Sequence, residues 1–94
     1  MNIERIEHGS KGAFIIKGEN ERLAEMTYSK AGDNLIIIDH TEVSDALRGK
    51  GVGIKLVTAA VEYARKNQIK ILPLCPFAKS VFDKTPEFND ILNA

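Results

Sequence analysis

The 94-residue chain reads as an α+β (α/β) domain. The predicted architecture is a mixed, mostly antiparallel central sheet of about five to six strands, with one β-α-β crossover and short C-terminal helices. Two observations predict it. Turn-forming clusters at residues 8–12 (HGSKG), 17–21 (KGENE) and 31–34 (AGDN) cut the first half into short extended pieces. After Gly53 the apolar period lengthens from two to about 3.6, and a further extended piece follows.

Residues 13–16 (AFII) fill the first interval between turns as a strand. Residues 23–29 (LAEMTYS) alternate, with Ala24, Met26 and Tyr28 on one face and Glu25, Thr27 and Ser29 on the other, as a half-buried strand requires. The next strand, LIIIDHTEV, opens with a continuous apolar run at 35–38 that predicts a central position covered on both faces. In the helix that follows, Leu56, Val57, Ala60, Val61 and Ala64 share one side. Lys55, Thr58, Glu62, Arg65 and Lys66 fall on the other, with Glu62 and Lys66 spaced for an ion pair and an end expected near Asn67. Residues 69–75 (IKILPLC) form the strand that completes a right-handed parallel crossover. Pro73 cannot donate to a ladder, so it marks an edge or a point where this strand parts from its neighbour and opens a cleft. Short helices are expected at residues 77–83 and after Thr85, with Thr85 as N-cap and Pro86 in the first helical position.

Length and charge restrict the function. A chain this short has interior enough for one core, so a single domain over residues 1–94 is expected. Thirteen basic and 13 acidic residues cancel, which removes any global field for nucleic acid or an anionic membrane; an anion site must come from local placement. One cysteine excludes an internal disulfide, and Cys75, His8 and His40 are too few and scattered for structural zinc, so no metal is expected. The opening MNIERIEHGS is no secretory signal and no apolar run reaches membrane-spanning length, which predicts a reducing, cytoplasmic setting. A monomer or weak homodimer is expected, with an edge strand or the C-terminal helices as the contact.

The chemistry concentrates in VSDALRGKGVGIKLV, where Gly49, Gly51 and Gly53 alternate with Lys50 and Val52 between a strand and a helix. Glycines there let backbone amides converge at a helix N-terminus, which favours an anion, phosphate above all. The spacing is neither a P-loop nor a dinucleotide fingerprint. Close helix packing alone would require one glycine rather than three beside a basic residue.

The segment resembles the acyl-CoA pyrophosphate loop of the GNAT superfamily of N-acetyltransferases, Arg/Gln-x-x-Gly-x-Gly/Ala opening a helix after the fourth strand. With IDHTEV before it and LPLCPFAK after, the chain resembles the small single-domain GNAT-like acetyltransferases of the YjdJ type. That resemblance implies a minimal GNAT fold and transfer of an acetyl group from acetyl-CoA to an amine. Arg48, Gly49, Lys50, Gly51, Val52 and Gly53 would hold the pyrophosphate. Val43 and its neighbours would pair with pantetheine as if it were an added strand, and an amide near Val43 would polarise the thioester carbonyl. Larger members carry one or two helices after the first strand that build the acceptor pocket; here only short turns occupy that interval, so the acceptor is not implied. A non-catalytic acyl-CoA-binding or sensing module is the alternative.

Two side chains are the catalytic candidates. Cys75, beyond Pro73, would either take the acetyl group as a nucleophile or protonate the departing CoA thiolate; its bland reading is a small buried hydrophobe. His40, three residues before Val43, would accept a proton from the amine or activate Cys75; its bland reading is a packed histidine bonded to Asp39 or a carbonyl. His8 reads as a solvent-facing strand end. Lys50 is the lysine best placed for CoA phosphates, ahead of Lys55 and Lys79, and Phe77 and Phe88 are either cleft shields or core.

Overall fold

The computed structural model describes residues 2–93. Five strands, β1 (Glu4–His8), β2 (Lys11–Lys17), β3 (Arg22–Lys30), β4 (Leu35–Val43) and β5 (Lys70–Pro73), form one sheet in chain order. The β1–β4 neighbours run antiparallel and β5 joins β4 in parallel through helix α1 (Val52–Asn67). Helix α2 (Pro76–Lys84) and a 3-10 segment at Pro86–Ile91 follow, the latter with Thr85 and Pro86 in the N-cap and first positions. Strand β1, which the turn signals alone did not delimit, pairs with β2 across the Gly9–Ser10 turn.

Helix α1 forms because its apolar residues repeat at helical spacing, and Leu56, Val57, Ala60, Val61 and Ala64 are all fully buried. They meet Phe14, Ile16, Ala24, Met26, Tyr28, Ile36, Ile38 and Ile71 of the sheet, and Ala78, Val81 and Phe82 of α2 join the same cluster. Both helices therefore lie on one face. The other face has no helix among the described residues, because a tight turn stands between β1 and β2. This corrects the expectation of a doubly covered β4: Ile36 and Ile38 are buried, while Leu35 and Ile37 are half-buried. The Glu62–Lys66 pair is also not formed. Arg65 turns instead to Asp90, at 2.8 Å, and ties the 3-10 segment to α1.

Two irregularities position the site. Strand β5 pairs with β4 only as far as Ile38 opposite Pro73, after which the Leu74 and Cys75 amides both donate to the Ile38 carbonyl and the chain turns into α2. Among the described residues, 40–43 keep β3 as their only strand partner, so a gap opens on their free edge. On the other side of β4 the register slips between Thr27 and Tyr28, leaving Asp39 as an extra residue. A bulge of this kind inverts the alternation beyond it.

No helix among the described residues is long and apolar enough to cross a membrane.

Candidate functional site

The loop between β4 and α1 begins with a 3-10 turn at Asp45–Leu47 and then turns on Gly49 (φ 78°) and Gly51 (φ 71°), both in the left-handed region that favours glycine. A Cβ at either position would meet nothing within 4 Å, so these glycines border open space. The first intrahelical bond runs from the Lys55 amide to the Gly51 carbonyl. The amides of Val52, Gly53 and Ile54 are thus left without helical acceptors, at the positive end of a 16-residue helix.

Gly53 has another role. It is buried in the first turn of α1, and a Cβ there would lie 2.5 Å from Cζ of Phe77. The absent side chain makes room for that ring.

A pocket of about 340 Å³ runs from the loop toward the β4–β5 gap. Val43, Arg48, Gly49, Gly51, Val52 and Gly53 line it, together with Thr41, Leu47, Ile54 and Phe77. Its size is in the ordinary range for small-molecule sites and its walls are largely aliphatic and aromatic, with amides at one end. Lys50 is exposed beside the loop rather than in the wall. The Arg48 guanidinium is held by Asp45 at 3.1 Å, an exposed pair across one turn. Lys79 pairs with Asp83 at 3.2 Å, and Phe88 packs edge-on against Phe82 in the core, so neither reaches the pocket.

Cys75 is 6% exposed and sits one position before α2, behind the pocket wall. Its thiol donates to the Thr41 hydroxyl at 3.4 Å. Burial pushes the thiol pKa up, but the Thr41 hydroxyl and the backbone N–H groups of Ala78, Phe77 and Thr41 outweigh that and hold it below the usual value. The neutral side chain forms no capping bond to the start of α2, yet the amides there lie near enough to favour a thiolate. The activating surroundings of Cys75 are thus a helix N-terminus and a hydroxyl.

The structure does not bring His40 and Cys75 together. The Asp39 bulge turns Thr41 and Val43 toward the helices and His40 and Glu42 toward the helix-free face, where the imidazole Nε2 meets a Glu42 carboxylate oxygen at 3.1 Å. Glu25 lies directly across from Glu42, and Glu25, His40 and Glu42 bring possible metal-ligand atoms within 4.8 Å of one another. Two of these three side chains are exposed, and a grouping like that is ordinary surface chemistry. His8 is an exposed strand end opposite Lys11. Thr41, Leu47 and Ile54 are pocket residues that sequence reasoning missed, and of these Thr41 is the one that meets Cys75. The inward orientation of Thr41 depends on the bulge, for which the letters DHT carry no signal.

Comparisons with known proteins bear on the family and the fold. A family model described as GCN5-related N-acetyl-transferase matches residues 13–91. A GCN5-like protein from Staphylococcus aureus, solved by NMR, is 43% identical and superposes with a TM-score of 0.73 over 99% of this chain and 90% of that one. Protein NATD1 of Xenopus tropicalis is 28% identical over 85 residues, 87% of this chain and 77% of its own. AAC(6')-Iy, solved with the bisubstrate analogue CoA-S-monomethyl-acetylneamine, has the same fold with a TM-score of 0.54 and 10% identity, over 93% of this chain and 65% of its own.

Proposed function

The chain belongs to the GCN5-related N-acetyl-transferase family, and from that premise we propose that it moves an acetyl group from acetyl-CoA to an amine. The pyrophosphate sits on the Arg48-x-x-Gly51-x-Gly53 loop and the thioester lies near Cys75. One observation carries the reading: the loop residues that the spacing singled out line a single pocket, and it opens into the gap where β4 and β5 separate.

The residues present fit the co-substrate. Open space beside Gly49 and Gly51 accommodates phosphate oxygens, and the amides of Val52, Gly53 and Ile54 supply donors at the positive end of α1. Lys50 beside the loop, and Arg48 on exchanging Asp45 for a phosphate, add positive charge. Beyond the loop, Val43, Leu47, Ile54 and Phe77 offer apolar walls to the pantetheine arm, whose amide groups pair with the free edge of β4. An amide of that edge near Val43 polarises the thioester carbonyl in the manner of an oxyanion hole. The attacking amine must be neutral, and His40 is available as proton acceptor only to an amine that reaches the gap from the helix-free face.

The test is release of free CoA thiol from acetyl-CoA against a panel of amines spanning amino acids, polyamines and peptide N-termini. Turnover that needs both an amine and acetyl-CoA supports the transferase. The tight β1–β2 turn, which leaves no helix to wall an acceptor, favours a second reading as a non-catalytic acyl-CoA sensor. CoA binding without turnover against any amine would select it.

A further inference from the structure

We propose that the Thr41 hydroxyl is the proton donor to the departing CoA thiolate, with Cys75 as the proton source behind it. The inference rests on the acetyl-CoA reading above and assigns a chemical step within that same pocket.

Thr41 and Cys75 stand in a definite order. Thr41 lines the pocket, on the inward face of β4 beside the gap. Cys75 is not among the lining residues and is 6% exposed, so its sulfur meets the pocket through another group. That group is Thr41, whose oxygen accepts the Cys75 thiol proton at 3.4 Å. A hydroxyl that accepts one hydrogen bond keeps its own proton to donate. Among the described residues no other side chain takes it, which leaves it available to an atom in the pocket.

The amine nitrogen bonds to the thioester carbonyl carbon, and the carbon–sulfur bond breaks with its electron pair left on the CoA sulfur. That sulfur takes the Thr41 hydroxyl proton, and the Thr41 oxygen takes the Cys75 thiol proton. Negative charge ends on Cys75 Sγ, at the N-terminus of α2 beside the Phe77 and Ala78 amides, where a thiolate is best held. The proton shed by the acylated nitrogen passes to solvent, and solvent reprotonates Cys75. Cys75 thereby acts without entering the pocket.

The experiment follows iodoacetamide alkylation of Cys75 against pH by intact-protein mass, in wild type, Thr41→Val, Thr41→Ala and Thr41→Ser, with and without acetyl-CoA. Cys75 is the sole cysteine, so the adduct reports on it alone. The midpoint is expected to move up in the Val and Ala variants and to stay at the wild-type position in Ser, which retains the hydroxyl. Bound acetyl-CoA should shift the midpoint in wild type and Thr41→Ser but not in Val or Ala. Equal profiles in all four proteins, or an acetyl-CoA shift that persists without the hydroxyl, would overturn the relay. So would an acetyl adduct on Cys75, because the sulfur would then reach the carbonyl itself. Calorimetric titration of wild type with CoA separates the two levels: no binding removes the acetyl-CoA reading and the relay together, whereas binding with no dependence on Thr41 removes the relay alone.

Discussion

Phe77 occupies the space that a side chain on Gly53 would need, with Cζ 2.5 Å from the missing Cβ. The ring is 40% exposed and lies at the lip of the pocket, so glycine at this position fixes where the lip stands. Gly53→Ala should push the ring outward and lower stability modestly, by about 1 kcal/mol. In a Phe77→Ala background the same substitution meets no ring, and the better helix propensity of alanine should stabilise by up to about 1 kcal/mol. Urea midpoints for the two single variants and the double variant measure that change of sign; an additive result would mean that the two residues do not compete for the space.

Gly51 differs because it borders open space but holds a left-handed backbone at φ 71°. Gly51→Arg is expected to cost about 1–2 kcal/mol in backbone strain, and to weaken CoA binding at least tenfold, about 1.4 kcal/mol, because its side chain enters the phosphate space. Gly32, at φ 81° and equally open, is the control. Gly32→Arg should lose similar stability and bind CoA like wild type, as calorimetry can check.

His40 lies on the opposite face of β4 from Thr41, bonded to Glu42. His40→Asn should therefore leave CoA affinity unchanged in titration, even if turnover with an amine falls. Weaker CoA binding would place the imidazole nearer the pocket than the register allows.

Tyr28 gives a pH dependence remote from the site. Burial, chiefly, raises its phenol from 10.0 to about 12, with the Arg5 hydrogen bond opposing and the Glu7 bond assisting. A raised folded pKa means that the protonated phenol's contribution is fully present below pH 10 and is lost as pH climbs toward 12. The loss is at most about 2 to 3 kcal/mol. Tyr28→Phe lacks the Glu7 and Arg5 bonds, at 2.8 and 3.0 Å, and should be less stable by about 1 kcal/mol at neutral pH. Its gap to wild type should close and then reverse as pH rises toward 12, because the wild-type loss exceeds the gap and phenylalanine does not ionise. A constant gap in urea midpoints would contradict the assignment.

Much of this architecture is legible in local letters. The change of period after Gly53 announces α1, Pro73 marks where β5 leaves β4, and the spacing from Arg48 to Gly53 marks the loop that lines the pocket. Parity was not legible. Counting by twos from Ile36 and Ile38 sends His40 inward toward Cys75, and one bulged residue, Asp39, sends it outward and brings Thr41 in. The separate duties of the glycines were hidden as well. Nothing in G-x-G-x-G tells the left-handed turns at Gly49 and Gly51 from the close approach at Gly53, because the latter depends on Phe77, distant in sequence. The lack of a helix on the second sheet face escaped for a related reason: an apolar run such as 35–38 suits a strand buried on both sides and one half-covered by its neighbours.

The most direct test of the central claim is an amide-resolved NMR titration of the protein with CoA. Saturable shifts are expected, largest at the amides of Gly49, Gly51, Val52, Gly53 and Ile54 and extending along β4 through Val43 to Thr41. Absence of saturable shifts, or shifts confined to the helix-free face around Glu25 and Glu42, would contradict the claim.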